Sequence, residues 1–195
     1  MNIKLEIGVD EVGRGALAGP VIAAALLKLD SDFHIQGVTD SKKIPPRKRE
    51  ILAAKIMSSY SYAFGEASSH EIDEINILNA TKLAMTRAVN NCIALLRKHS
   101  EDFEIEILVD GNMKFENERF KSIIKGDLSV YSISCASIIA KVHRDDIMRK
   151  ASEFHPEFDW AKNVGYGTKA HFEAIRKHGL TKLHRKTFLN KLRSF

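Results

Sequence analysis

The chain has 195 residues, 44% of them hydrophobic and 28% charged, with a formal net charge of +5. That length suits one domain, and those fractions supply a core that needs no disulfide or structural metal. No apolar run reaches membrane-spanning length, and the opening MNIKLEIGVD lacks the features of a secretory leader, so a cytoplasmic location is expected.

Ile3, Leu5, Ile7 and Val9 alternate along the first segment and predict a strand with one buried side. The loop DEVGRGALAGP follows, and then VIAAALLKL (21–29), a nearly continuous apolar run that predicts a buried strand. A third short strand is expected near Phe33–Gly37, completing a meander. The loop TDSKKIPP leads into a helix from about Pro46, whose fixed φ suits a first turn, with Ile51, Leu52, Ile56 and Met57 as its apolar stripe. SYAFGEAS (61–68) reads as a further strand. A long helix is predicted from about Ile72 to Lys98, with a break near Asn76–Asn79 and a buried face through Leu83, Met85, Ala88, Val89, Cys92, Leu95 and Leu96.

EIEILVD (104–110) predicts a strand ending on an aspartate, after which Gly111-Asn112 turns the chain toward a short helix and SIIKGD (122–127). A helix is predicted over 134–151, where Ala136, Ile139, Ala140 and Ile147 recur at helical spacing. A last helix starts near Thr168, a fitting N-cap. Strands first, then alternating helices and strands, predict an α/β or α+β fold with a mixed sheet and helices on its faces. Cys92 and Cys135 lie in apolar helical patterns with no CxxC, and read as reduced core thiols.

The charge is uneven. Residues 169–195 hold eight Lys or Arg (Lys169, Arg176, Lys177, Lys182, Arg185, Lys186, Lys191, Arg193) and the single acid Glu173, while the other 168 residues carry 22 bases and 24 acids. A basic end on a near-neutral body fits either a polyanion partner or a solubilising helix face.

Two predicted strands end in carboxylates, Asp10-Glu11 and Asp110, and Asp127 follows SIIKG. Any one of these could simply begin a turn. Together they place converging oxygens at the ends of neighbouring central strands, where desolvation favours a hard cation such as Mg²⁺ or Mn²⁺. Gly13-Arg14-Gly15 allows close backbone approach to a ligand, or makes a plain tight turn. GRGALAG does not fit GxGxxG, and no GxxxxGK[ST] exists, so neither a dinucleotide loop nor a nucleotide-hydrolysing P-loop is predicted. Asp40-Ser41-Lys42-Lys43 offers hydroxyl and ammonium groups to phosphate. Tyr166, between Gly165 and Gly167, could stack on a base or sugar.

GVDEVGRGALAGPV, TDSKK, LVDGN, KGD, ASIIAKVHRD, GYGTKAH and HRKTF resemble blocks of the ribonuclease HII family, in that family's order and across nearly the whole chain. The resemblance implies a ribonuclease H-like five-stranded mixed sheet flanked by helices, spanning 1–179, with a basic C-terminal helical segment at 180–195. It implies a metal-dependent endoribonuclease, active as a monomer with Mn²⁺ or Mg²⁺. Such an enzyme hydrolyses the RNA strand of RNA–DNA hybrids and nicks 5′ of single ribonucleotides in DNA, leaving 3′-OH and 5′-phosphate ends. Asp10, Glu11, Asp110 and Asp127 match the four metal-binding acids. Gly13, Arg14 and Gly15 match the motif that reads the ribose 2′-OH, and Tyr166 matches the tyrosine at the RNA–DNA junction. Ser41, Lys42 and Lys43 match a loop near the phosphates, and Ser137 and Lys141 a supporting pair on one helix face. Another nuclease of the same fold, a non-catalytic hybrid-binding module and a basic structural protein are the alternatives.

Overall fold

The computed structural model describes residues 3–29, 33–96 and 103–190. Strand β1 (Ile3–Val12) lies at the centre of its sheet, antiparallel to β2 (Val21–Leu29) and parallel to β4 (Phe103–Asp110). Strand β3 (Ser61–Ala67) extends the sheet beyond β2 and β5 (Phe120–Ile123) beyond β4, giving the order β3-β2-β1-β4-β5. Period-2 alternation sorts the side chains. Leu5, Ile7 and Val9 join Val21, Ala23, Ala25, Ile107 and Val109 against helix α2 (Ser69–Leu96), which contributes Ala84, Met85, Ala88 and Cys92. On the other face, Ala24 and Leu26 meet α1 (Pro46–Ser59) and α4 (Tyr131–Phe154) through Leu52, Ile56, Cys135, Ala136 and Ile139.

Two strand glycines let these helices close on the sheet. A β-carbon at Gly8 would overlap the backbone of Ser132 in α4, and one at Gly65 would overlap the carbonyl of Ala84 in α2. Cys92 and Cys135 are free and buried on opposite faces, where burial pushes their thiols up to about 11 and about 12.

Two expected elements are absent from the described residues. Phe33–Gly37 forms no strand: the Ile35 N–H, which a ladder would need, donates to the Tyr131 hydroxyl at 2.6 Å, and Gly37 turns the chain at φ 91°. The third strand of the meander is β3, reached through α1. No helix forms between Gly111 and Phe120; the chain bends, stacks Phe115 on Phe120 with centroids 4.6 Å apart, and enters β5. The break predicted in α2 is a kink at Asn76 (φ 65°), whose Oδ1 accepts from the N–H groups of Leu78 and Asn79 and caps the second half. That helix is traced to Leu96, and Lys98 lies outside the described residues.

A single-turn helix, α3 (Gly126–Ser129), precedes α4; after α4 come a 3-10 turn (Pro156–Phe158) and the helices α5 (Trp160–Asn163), α6 (Lys169–His178) and α7 (Lys186–Leu189). Thr168 caps α6, its hydroxyl accepting from His171 N–H at 3.2 Å. Between α6 and α7 the chain returns to the first loop, where His184 bridges Ala18.

Candidate active site

The parallel register between β1 and β4 pairs Val9 with Val109, and the next step along both strands brings Asp10 beside Asp110. Asp127, in the first turn of α3, donates its backbone N–H to Asp110 Oδ1 at 3.2 Å. Glu11 continues β1, its N–H donating to Asp10 Oδ1 at 2.7 Å. All four acids line a cleft of about 210 Å³ with Ser41, Lys42, Ser137, Lys141 and Tyr166.

The electrostatics of this cleft ask for a cation. Burial, then the neighbouring charges of Glu11 and Asp110, hold Asp10 well above the ordinary carboxylate range. Burial also raises Glu11, offset in part by Arg14, whose guanidinium sits 3.2 Å from Glu11 Oε1. The other carboxylate oxygen, Glu11 Oε2, is buried with no hydrogen-bond partner among the described residues. Burial and the nearby Asp110 and Asp40 raise Asp127, against the pull of Lys42. Among the described residues no three acidic, His or Cys side chains are already gathered into a metal-holding group. The donor chemistry nonetheless fits one: hard oxygen ligands, partly desolvated, with an orphaned oxygen and too few positive partners.

The surrounding loops are fastened by side chains. The nearby Ser137 hydroxyl draws the Asp10 carboxyl down, against its burial, and lies 2.9 Å from the Ser41 hydroxyl, so α4 and the 40–43 loop meet beside the acid. Arg49 in α1 donates to the carbonyls of Ser41 at 2.8 Å and Ile44 at 2.9 Å, which holds that loop in place. Lys141 reaches Asp145 at 2.6 Å. Lys43 is not among the residues lining the cleft; its side chain is 69% exposed, near Asp40. Gly13 takes φ 93°, and a β-carbon there would overlap the Arg144 guanidinium. A β-carbon on Gly15 would lie 3.8 Å from Tyr166 Cε1, so the loop and this tyrosine stand side by side.

Two arginines that the sequence does not single out organise this region. Arg144, fully buried, donates to the carbonyls of Ala18, Pro20 and Val164 and lies 5.7 Å from the Tyr166 ring centroid. Arg185, also fully buried, donates to the carbonyls of Gly13, Arg14 and Gly19. Its place in the basic tail suggested phosphate neutralisation; its burial removes it from that set. Lys169, Arg176, Lys177, Lys182 and Lys186 remain exposed, while Lys191 and Arg193 lie outside the described residues. A buried chain of Trp160, His171 and His184 ends on the Tyr166 carbonyl, 2.9 Å from His171 Nδ1. The only hint of these roles in the sequence is a pair of His-Arg dipeptides, at 143–144 and 184–185.

Solved structures share this architecture. The chain is similar to the ribonuclease H2 of Pyrococcus horikoshii OT3, with a TM-score of 0.74, 26% identity and 97% of each chain covered. It also shares its fold with Bst-RNase HIII, solved in complex with Mn²⁺, at a TM-score of 0.72 and 20% identity over 99% of this chain and 70% of that one. Fold and acidic cleft together define a nuclease of the ribonuclease H class.

The ribonuclease HII family model matches residues 7–191. Proteins named ribonuclease HII are 49% identical over 183 residues in Wolbachia pipientis (93% of this chain, 88% of the relative) and 51% identical over 181 residues in Rickettsia rickettsii (93% and 89%). The chain belongs to the ribonuclease HII family: it is a metal-dependent endoribonuclease acting on RNA–DNA hybrids.

Proposed function

We propose that the enzyme nicks duplex DNA 5′ of single embedded ribonucleotides as well as cutting longer hybrids, with Asp10, Glu11, Asp110 and Asp127 as its metal ligands. The observation that carries this reading is the meeting of the four acids in one cleft beside Gly15 and Tyr166. Mg²⁺ or Mn²⁺ held by these carboxylates would supply a water activated near neutral pH and charge stabilisation for the leaving oxygen. The chain's own residues do the rest. Ser137 orients Asp10, and Ser41 steadies Ser137. Lys42 and Lys141 place positive charge at the cleft wall for phosphate. The Gly13–Gly15 backbone senses the 2′-OH that distinguishes ribose from deoxyribose, and Tyr166 packs on the adjoining sugar. Water attacks phosphorus in line, the bond to the 3′-oxygen breaks, and 3′-OH and 5′-phosphate ends remain.

In the same reading, 1–179 is the catalytic domain and 180–195 a basic segment packed against it, which the Ala18–His184 bridge supports. The enzyme acts as a monomer in the cytoplasm; no described helix is long and apolar enough to cross a membrane. The deciding experiment is a nicking assay on a duplex with one ribonucleotide, with and without chelator, mapping the ends. Asp110→Asn is expected to lose cutting by at least about 10³-fold while still binding the duplex, since it removes a ligand and leaves the groove. Full activity of that variant in Mg²⁺ would remove Asp110 from the ligand set.

A further inference from the structure

In the loop after β1, two neighbouring peptide groups have their carbonyls tied down. Arg185 Nη2 donates to the Gly13 carbonyl at 2.8 Å and Nη1 to the Arg14 carbonyl at 2.9 Å, while Nε and Nη2 reach Gly19 at 3.0 and 2.8 Å. Arg185 is 0% exposed, so both loop carbonyls point into the protein. In a trans peptide the C=O of one residue and the N–H of the next point in opposite directions, and the described residues contain no cis bond. The N–H groups of Arg14 and Gly15 therefore point away from the guanidinium, on a stretch where both residues are exposed. Among the described residues neither N–H has a hydrogen-bond partner. Gly15 stands beside the Tyr166 ring, where a β-carbon on it would lie 3.8 Å from Cε1.

We infer that Arg185 is a positioning residue for ribose selection: it locks the Gly13–Arg14–Gly15 loop with two adjacent peptide donors turned outward beside Tyr166, ready for the 2′-oxygen of the substrate. This rests on the reading of that loop as the ribose sensor. All four donated bonds of Arg185 go to backbone carbonyls, so its chemistry is spent on loop geometry. A planar fork is what the task requires, because three carbonyls at different angles must be held at once. Lysine, a point charge with a flexible stem, cannot reproduce it.

The test compares wild type and Arg185→Lys on a duplex with one ribonucleotide. Misplacement of a sensing loop by about 1 Å is expected to lower kcat on the order of 100-fold, with KM within roughly threefold and the salt dependence of binding unchanged. An unchanged kcat with a shallower salt slope would show a phosphate contact instead and overturn the inference. A backbone ester at Gly15, which deletes that N–H alone, separates the two layers of the proposal. A harmless ester sinks the ribose-sensing role of the loop itself. A damaging ester whose loss simply multiplies with that of Arg185→Lys leaves the sensor standing and overturns the role of Arg185; a combined loss no larger than the ester's own supports it. If the lysine variant fails to fold, amide exchange in the Asp110→Asn protein decides. The Arg14 and Gly15 amides should exchange freely alone and become protected on binding the hybrid; continued free exchange in the complex overturns the inference.

Discussion

Asp10 sits beside Glu11 and Asp110 with only 6% of its surface reaching solvent. Its pKa in the fold is raised above 3.8, so the folded state favours the protonated form. That contribution to stability is fully present below the unfolded value and is lost as pH rises through the folded one, so the buried carboxyl is a cost at neutral pH. Asp10→Asn should therefore raise the metal-free thermal midpoint at pH 7, by roughly 2–4 °C for each kcal/mol relieved, while abolishing cleavage. Mg²⁺ or Mn²⁺ should raise the wild-type midpoint and barely move that of the variant. A variant that melts earlier than wild type would contradict this account of the site's strain.

The buried histidines give the opposite sign. Thr181 N–H donates to His184 Nδ1 at 3.0 Å, so the neutral ring carries its proton on Nε2, facing His171 Nε2 at 3.2 Å. His171 Nε2 also accepts from Trp160, which leaves its Nδ1 proton for the Tyr166 carbonyl. Both rings are neutral, and burial with His171 and His155 nearby holds His184 down at about 4, against 6.5 when unfolded. Stability is thus intact above pH 6.5 and declines as pH falls toward 4. Thermal midpoints measured across that window should drop, and His184→Asn should flatten the decline; an equally steep fall in the variant would place its origin elsewhere. The meeting of Asp10 and Asp110 in one cleft was legible because a carboxylate near the end of an apolar strand needs a reason to be there. Arg144 and Arg185 were not, because a sequence does not distinguish a buried guanidinium from a solvated one, and Arg185's loop partners lie up to 172 positions away.

Among the elements, β1 and β2 were readable from alternation and apolar density, and α6 from its Thr168 cap. The failures have local causes. The 33–37 segment had strand-like residues, but a tyrosine from α4 takes the amide of Ile35. Strand β5 has four residues, too few to show a period. The close seat of α4 on β1 depends on Gly8, which offers no periodic signal at all. Gly8→Ala should cost about 3 kcal/mol through overpacking, a fall in midpoint of roughly 10 °C, and should slow cleavage because α4 carries Ser137. Calorimetry and the nicking assay together check this; an unchanged midpoint would mean that helix and strand can separate without penalty.

For the molecule as a whole, the sheet is a partition. Cys92 lies on its α2 side and Cys135 on its α4 side, so no disulfide can join them in the native state. Reductant should leave both midpoint and activity unchanged, and a loss of activity in dithiothreitol would contradict the partition. Exposed bases gather near one end while the cleft is acidic, so hybrid affinity should fall linearly in log–log form with salt, with a slope of about −0.9 for each phosphate neutralised. A flat response would mean that the tail makes no contact with the backbone.

The return of residues 184 and 185 to the first loop has a consequence for biosynthesis. Translation runs from the amino end, so the strands bearing Asp10 and Asp110 leave the ribosome well before the arginine that fixes the nearby turn. A nascent or prematurely terminated chain would gather acids at the ends of two inner strands while the turn beside them is still slack, and in the proposed reading only the chain that includes residue 185 would tell RNA from DNA.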